Sequence, residues 1–285
     1  MSSQGWRRLY RIIKREARRL PRPRRRFVYS DALIAAMYFW AVWHDRPQCW
    51  ACRRDSYSGL FRPRRLPSVS EFNKRIRSER ITGLLESVFA AFSSSHGLGQ
   101  VCIVDSRPLT VGACSKDQAA KAGRVYGGFA RGYRLHALVA ENGVVLAWKL
   151  TAMNGAETTV ARALLPQAPA GSRVLADANY DRAPLYDCAS EHGLDFLARP
   201  QKNAGQGHRP QNPTRLAAIA RWRRDPARYG RRRDQVERAF GWQSSFGGGL
   251  APLPAWVRTP RRVHRWVQAK LVINHVRIHE RQSAA

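Results

Sequence analysis

Apolar and polar positions along the 285-residue chain change rhythm near residue 100. Before that point the repeat is helical. Ser30-Asp31 precedes an apolar run from Ala32 to Trp43, which predicts an N-cap and a helix buried on most sides. Ser68-Val-Ser-Glu71 has capping-box spacing, and Phe72 and Ile76 extend it along one face of a second helix. Ile81 to Phe92 carries Leu84, Leu85, Val88 and Phe89 at the core spacing of a third. Leu9, Ile12 and Ile13 give residues 1–26 a partial helical stripe that Pro21 and Pro23 end.

From Gln100 the apolar runs become short and strand-like. Val101 to Val104 ends on Asp105; Tyr133 to Ala140 and Val144 to Leu150 flank Glu141-Asn142-Gly143, and Asn-Gly between apolar runs predicts a hairpin. Asn154 is placed to cap a helix reaching about Leu165. Arg173 to Ala176 forms a fourth strand ending at Asp177, and a helix from Ala183 to His192 stops at Gly193. Asp195 to Arg199 is a fifth strand. Pro200 to Pro213 is a polar loop, Asp225-Pro226 starts a helix running through Glu237 and Phe240, and Gly247-Gly-Gly249 interrupts the chain. Arg261 to His279 is the last helix. This order predicts an α/β fold, a mixed sheet flanked by helices, with a small all-α N-terminal domain. The expected divisions are an arm over 1–29, a helical DNA-binding domain over 30–99 and a sheet domain with C-terminal helices over 100–285.

Charge narrows the function. Fifty Lys and Arg against twenty Asp and Glu give a net charge of +30, an excess that a polyanion such as nucleic acid neutralises. Composition alone fits a non-catalytic DNA-binding protein as well as an enzyme. The Arg-dense residues 1–26 read either as an arm that orders on DNA or as a solvated tail. Five cysteines without framework spacing point to a reducing compartment. Cys49-Trp-Ala-Cys52 has no second ligand pair at zinc-finger spacing and reads as two ordinary thiols. No apolar run reaches the ~20 residues of a membrane span, so a soluble, intracellular protein is expected.

Because acids are scarce, their placement carries information. Asp105 and Asp177 each follow an apolar strand, and ligands gather where the strands of one sheet end in carboxylates. Glu237 sits among Arg231, Arg232, Arg233 and Arg238, with Tyr229, Arg233 and Glu237 spaced four apart on one helix face. By itself that spacing is also what a surface Arg–Glu pair needs. Asp181 is read as a helix cap, Asp117 and Asp187 as solvent-facing, His136 as a structural hydrogen-bonding group, and Trp242 and Phe246 as core.

Tyr229-x3-Arg233-x3-Glu237 resembles the Tyr-Arg-Glu-Lys signature helix of the DDE insertion-sequence transposases, with Ser244 where the signature has Lys. Val104-Asp105-Ser106 looks like that family's first catalytic strand. Gly132-Tyr133-Arg134-Leu135-His136 is similar to its Gly-Tyr-Lys-Leu-His strand, and Leu175-Ala-Asp177-Ala-Asn-Tyr180-Asp181 to the segment bearing its second catalytic Asp. The likeness spans roughly Val101 to Phe246. It implies an RNase H-like fold, a catalytic and metal-binding triad of Asp105, Asp177 and Glu237, and DNA contacts by Tyr229, Arg232, Arg233, Arg238 and Arg134. It further implies two Mg²⁺ ions, with Mn²⁺ able to substitute, Asp105 bridging them and Asp177 and Glu237 each holding one. The implied partners are the terminal inverted repeats of a transposon and a target duplex, engaged by a homodimer. A nuclease of the same fold that cuts without rejoining is the alternative.

Overall fold

The computed structural model describes residues 1–23, 27–94, 101–204, 212–234, 237, 240–241, 250 and 252–284. Arg238, Trp242, Ser244, Phe246 and the Gly247–Gly249 run lie outside them. The chain divides into two compact units. One gathers 1–95, 243–250 and 254–285; the other gathers 96–242 and 251–253. The sequence reading assigns the last helix to the sheet domain, whereas its packing groups it with the N-terminal helices.

The first unit is all α. Its elements are α1 (Ser3–Arg19), α2 (Asp31–Trp43), α3 (Val69–Ile76), α4 (Glu79–Ser93) and the long C-terminal α9 (Pro260–Ala284). The expected caps form: the hydroxyls of Ser30 and Ser68 accept from the amides of Leu33 and Glu71 at 3.2 and 3.1 Å. Residues 3–19 are neither arm nor tail. Trp6, Leu9 and Ile13 are fully buried, and Trp6 meets the Trp40 ring edge-on at 4.9 Å. The apolar stripe, extended by Trp6, binds α1 to the helical core and leaves its arginines outside. Inside that core Asp31 is held by Arg75 at 2.5 Å and Arg80 at 2.6 Å, both charge-assisted.

The second unit is a six-stranded mixed sheet ordered β2-β3-β1-β5-β6, with β4 paired to β3. The strands are β1 (Val101–Thr110), β2 (Lys121–Val125), β3 (Gly128–Ala140), β4 (Val145–Ala152), β5 (Arg173–Ala176) and β6 (Asp195–Ala198). Helices α5 (Glu157–Leu164), α6 (Ala183–Glu191), α7 (Pro213–Arg224) and α8 (Pro226–Arg233) belong to the same unit. The mixed α/β architecture is the one expected, and the Asn142-Gly143 turn joins β3 to β4, with Gly143 at φ 88°. Strand β2 was not foreseen, and β1 runs past Asp105 because antiparallel β3 pairs with it as far as Thr110. Gly132 allows that pairing. A Cβ there would meet the Leu109 carbonyl oxygen at 2.2 Å.

Three readings of polar residues are corrected. Asp181 does not cap the helix that follows, whose cap residue is Arg182; it is buried and takes a two-pronged ion pair from Arg215 at 2.7 and 2.8 Å. Asp117 is buried and accepts from the Tyr133 hydroxyl at 2.8 Å. Helix α5 begins at Glu157 with Ala156 as its cap residue, so Asn154 does not cap it. Among the described residues no helix is long and apolar enough to cross a membrane.

Candidate active site

The acid cluster is built by the sheet. Strands β1 and β5 are parallel neighbours with Ile103 opposite Leu175. Two residues further along each chain, Asp105 and Asp177 stand at the same level, and the two-residue period of a strand puts them on the same face. Asp177 follows β5 directly, and its Oδ1 accepts from the Asn179 amide at 2.8 Å, which fixes the carboxylate at the sheet edge. Asp105 Oδ1 likewise accepts from the Ser106 amide at 2.7 Å.

Arg233 ties the third acid to this pair. Its Nη2 lies 3.4 Å from Asp105 Oδ2 and its Nη1 lies 3.4 Å from Glu237 Oε1. The expected continuous signature helix is interrupted: α8 ends at Arg233, Asp234 caps it, and Glu237, Phe240 and Gly241 are helical again. The Arg–Glu pair therefore survives without an unbroken helix. The Glu237 side chain is 64% exposed and that of Asp105 14%, so the two ends of the Arg233 bridge differ sharply in hydration.

Electrostatics set Asp105 apart. Burial pushes its carboxyl up to about 7; the Ser106 amide and then Arg233 pull it down, and the charges of Asp177 and Glu157 push it up. Desolvation wins because a buried carboxylate loses more hydration than one cation and one amide return. The cluster of carboxylates, nearly buried at Asp105, half-buried at Asp177 and exposed at Glu237, is short of positive charge. Its donors are all oxygen, the set that hard divalent cations select, so the residues fit a metal of that class, and Arg233 supplies part of the missing charge.

Two residues of this cluster escaped the sequence reading. Glu157, in the first turn of α5, is ion-paired to Arg134 and raises Asp105 through space. Tyr180, buried behind the acids, is held as a neutral phenol by burial first and then by the charges of Asp105 and Glu157. The only signal for Glu157 was its place at the start of the helix after a strand. Tyr180 had no signal beyond its place in the segment that follows Asp177.

The expected DNA-contacting residues diverge. Arg134 directs its guanidinium into the protein, to Ser106 Oγ at 3.2 Å, the Arg124 carbonyl at 2.6 Å and Glu157. Tyr229 is buried and stacked on Trp222 at 5.7 Å. Arg232 is half-buried on α8, and Arg238 lies outside the described residues. His136 is buried and bonded through Nε2 to Thr151 Oγ1 at 2.9 Å, and burial lowers its titration to about 4, so the ring is neutral.

With this geometry in hand, comparison with known proteins is direct. A family model described as the transposase DDE domain matches residues 96–276, which takes in Asp105, Asp177 and Glu237. Among curated proteins none matches. The fold is similar to that of the piggyBac transposase in a cryo-EM synaptic complex with hairpin DNA, at a TM-score of 0.52 and 10% identity, over 99% of this chain and 73% of that one. Such low identity speaks for the fold alone. The family match covers well over half of the chain, and the chain belongs to the transposase DDE-domain family, as a DDE-type, metal-dependent DNA transposase.

Proposed function

We propose that the chain is the transposase of an insertion sequence, cutting DNA at the element's terminal inverted repeats and joining the freed ends to a target duplex. The observation that carries this reading is the level placement of Asp105 on β1 and of Asp177 just past the end of its parallel neighbour β5, with Arg233 reaching from Asp105 to Glu237. In this reading Asp105, Asp177 and Glu237 are the catalytic residues and hold two Mg²⁺ ions, replaceable by Mn²⁺. When bound there, such ions would supply activation of the attacking oxygen and charge relief on the leaving one.

The protein's own groups do the positioning. Asp105, fixed by the Ser106 amide, faces Asp177 and presents a buried oxygen pair. Arg233 holds Glu237 toward the same place and, once the acids turn to metal, offers its guanidinium to a phosphate. Arg232 adds a cation from α8 and Arg238 from the segment beyond it. Tyr229 anchors α8 by stacking on Trp222 of α7, and Arg134 fixes Ser106 and Glu157. The partner is double-stranded DNA bound by a homodimer on paired ends, in the bacterial cytoplasm at the nucleoid.

The test is cleavage of duplexes carrying the DNA that flanks the coding region, with Mg²⁺ or Mn²⁺ and with EDTA. Asp105→Asn, Asp177→Asn and Glu237→Gln are each expected to lose about 100-fold or more of cleavage, as removal of a directly acting group does. Wild-type rates in all three variants would remove the triad. Cleavage without joining to a second duplex would leave a nuclease in place of a transposase.

A further inference from the structure

Hairpin β2–β3, at the edge of the sheet, ends in a turn that no apolar run announces. Val125 pairs with Gly128 across Tyr126-Gly127, and Gly127 takes φ 80°, a left-handed angle that suits a residue without Cβ. Tyr126 is fully exposed and Phe129 is 80% exposed. Large apolar rings held outward on a hairpin tip contribute nothing to the core and mark a binding surface. Lys121 and Arg124, on the edge strand of the same hairpin, are exposed as well. Cations beside aromatics match the two faces of a nucleic acid, phosphate and base.

The tip is free but its mount is stiff. Arg131 holds the loop before β2 through the carbonyls of Ser115, Asp117 and Ala120 at 3.1, 3.0 and 3.2 Å. Arg134 bonds the carbonyl of Arg124 at 2.6 Å and Ser106 Oγ at 3.2 Å, next to Asp105. One guanidinium thus joins the turn end of the hairpin to the residue beside Asp105. Arg124 pairs with Phe129 across the hairpin, so the same guanidinium ties the ring-bearing end to the strand that carries Asp105. A tip held to that strand lies beside a duplex whose phosphate is held at the acids.

We propose that the β2–β3 hairpin is a DNA wedge: Tyr126 and Phe129 stack on bases of the duplex whose phosphate is held at the acid cluster, while Lys121 and Arg124 take neighbouring phosphates. This rests on the DNA-cutting function proposed above. Ring stacking and phosphate pairing respond differently to salt, because only the second releases counterions. The experiment measures binding of the full chain, in EDTA, to a labelled duplex from the element's end, between about 50 and 200 mM salt.

Tyr126→Ala with Phe129→Ala should bind about tenfold more weakly at every salt concentration, with an unchanged slope of log affinity against log salt. Tyr126→Trp with Phe129→Trp should keep wild-type affinity. Lys121→Gln with Arg124→Gln should lower the slope by about 0.9 for each phosphate that is no longer neutralised. All four side chains are exposed, so folding is retained, and thermal melts check it. Wild-type affinity in the alanine pair would overturn the wedge and leave the DNA function standing. A change of sedimentation in that pair without loss of DNA affinity would also overturn it, by assigning the tip to a second copy of the chain. Failure of the wild type to bind any duplex would remove both.

Discussion

Asp105→Asn separates what the acid cluster does for catalysis from what it does to stability. In the metal-free protein the Asp105 carboxyl titrates near 7 instead of the ordinary 3.8, with burial as the leading cause. At about 1.4 kcal/mol per pH decade, that displacement has a ceiling of about 4 kcal/mol against the folded state once the pH exceeds 7. The sign follows from the raised value. Below 3.8 the group is neutral in both states and there is no penalty; between 3.8 and about 7 only the unfolded chain ionises, and the penalty grows; above 7 it is constant.

Asparagine removes the titration and keeps an oxygen for the Ser106 amide, which sits 2.7 Å away. The pull of Arg233, 3.4 Å away, is already contained in the titration near 7 and adds no separate cost. Water access and a higher effective dielectric reduce the ceiling. A net gain of about 2 kcal/mol at pH 8 remains, which for a chain of this size raises the melting temperature by about 4–8 °C. Calorimetry in EDTA at about pH 4 and pH 8 measures it. The variant should melt higher at pH 8 and together with wild type at the acid end, and added Mg²⁺ should stabilise wild type alone. An equal difference at both pH values, or a less stable variant at pH 8, would refute the electrostatic argument.

Three further outcomes are expected. Asp31→Ala strips a buried carboxylate from Arg75 and Arg80 and should cost about 3–5 kcal/mol in urea unfolding, because a nearly buried guanidinium loses its anion. Gly132→Ala drives a methyl into the Leu109 carbonyl, so amide exchange should quicken along β1 and β3 and cleavage should fall. Leu9→Ala, in a helix otherwise lined with arginines, should cost about 2–5 kcal/mol because that side chain is fully buried; the same stability as wild type would show that α1 is not part of the helical core.

Much of this molecule was legible in its sequence because the forces involved are local. A cap joins a hydroxyl to an amide three residues on, as Ser30 and Ser68 do, and Asp225 accepts from the Arg228 amide at 3.0 Å in the same way. The Asn142-Gly143 turn needs only its own backbone. Asp105 and Asp177 could be singled out because each follows an apolar run, and Arg233 and Glu237 because four residues make about one helical turn.

What the tertiary structure decided are pairings across long separations. Asp181 meets Arg215 across 34 positions and Arg134 meets Glu157 across 23, and neither choice is written in the residues nearby. Burial of Asp117 depends on Tyr133, sixteen positions away. The β2–β3 hairpin lacked an apolar run because glycines at 123, 127, 128 and 132 stand where strand side chains would signal it. The sequence determined which residues could carry charge and chemistry. Only the packing of β5 beside β1 brought two carboxylates to one end of the sheet, and desolvation, a property of the assembled environment and not of the residue, gave Asp105 its shifted titration.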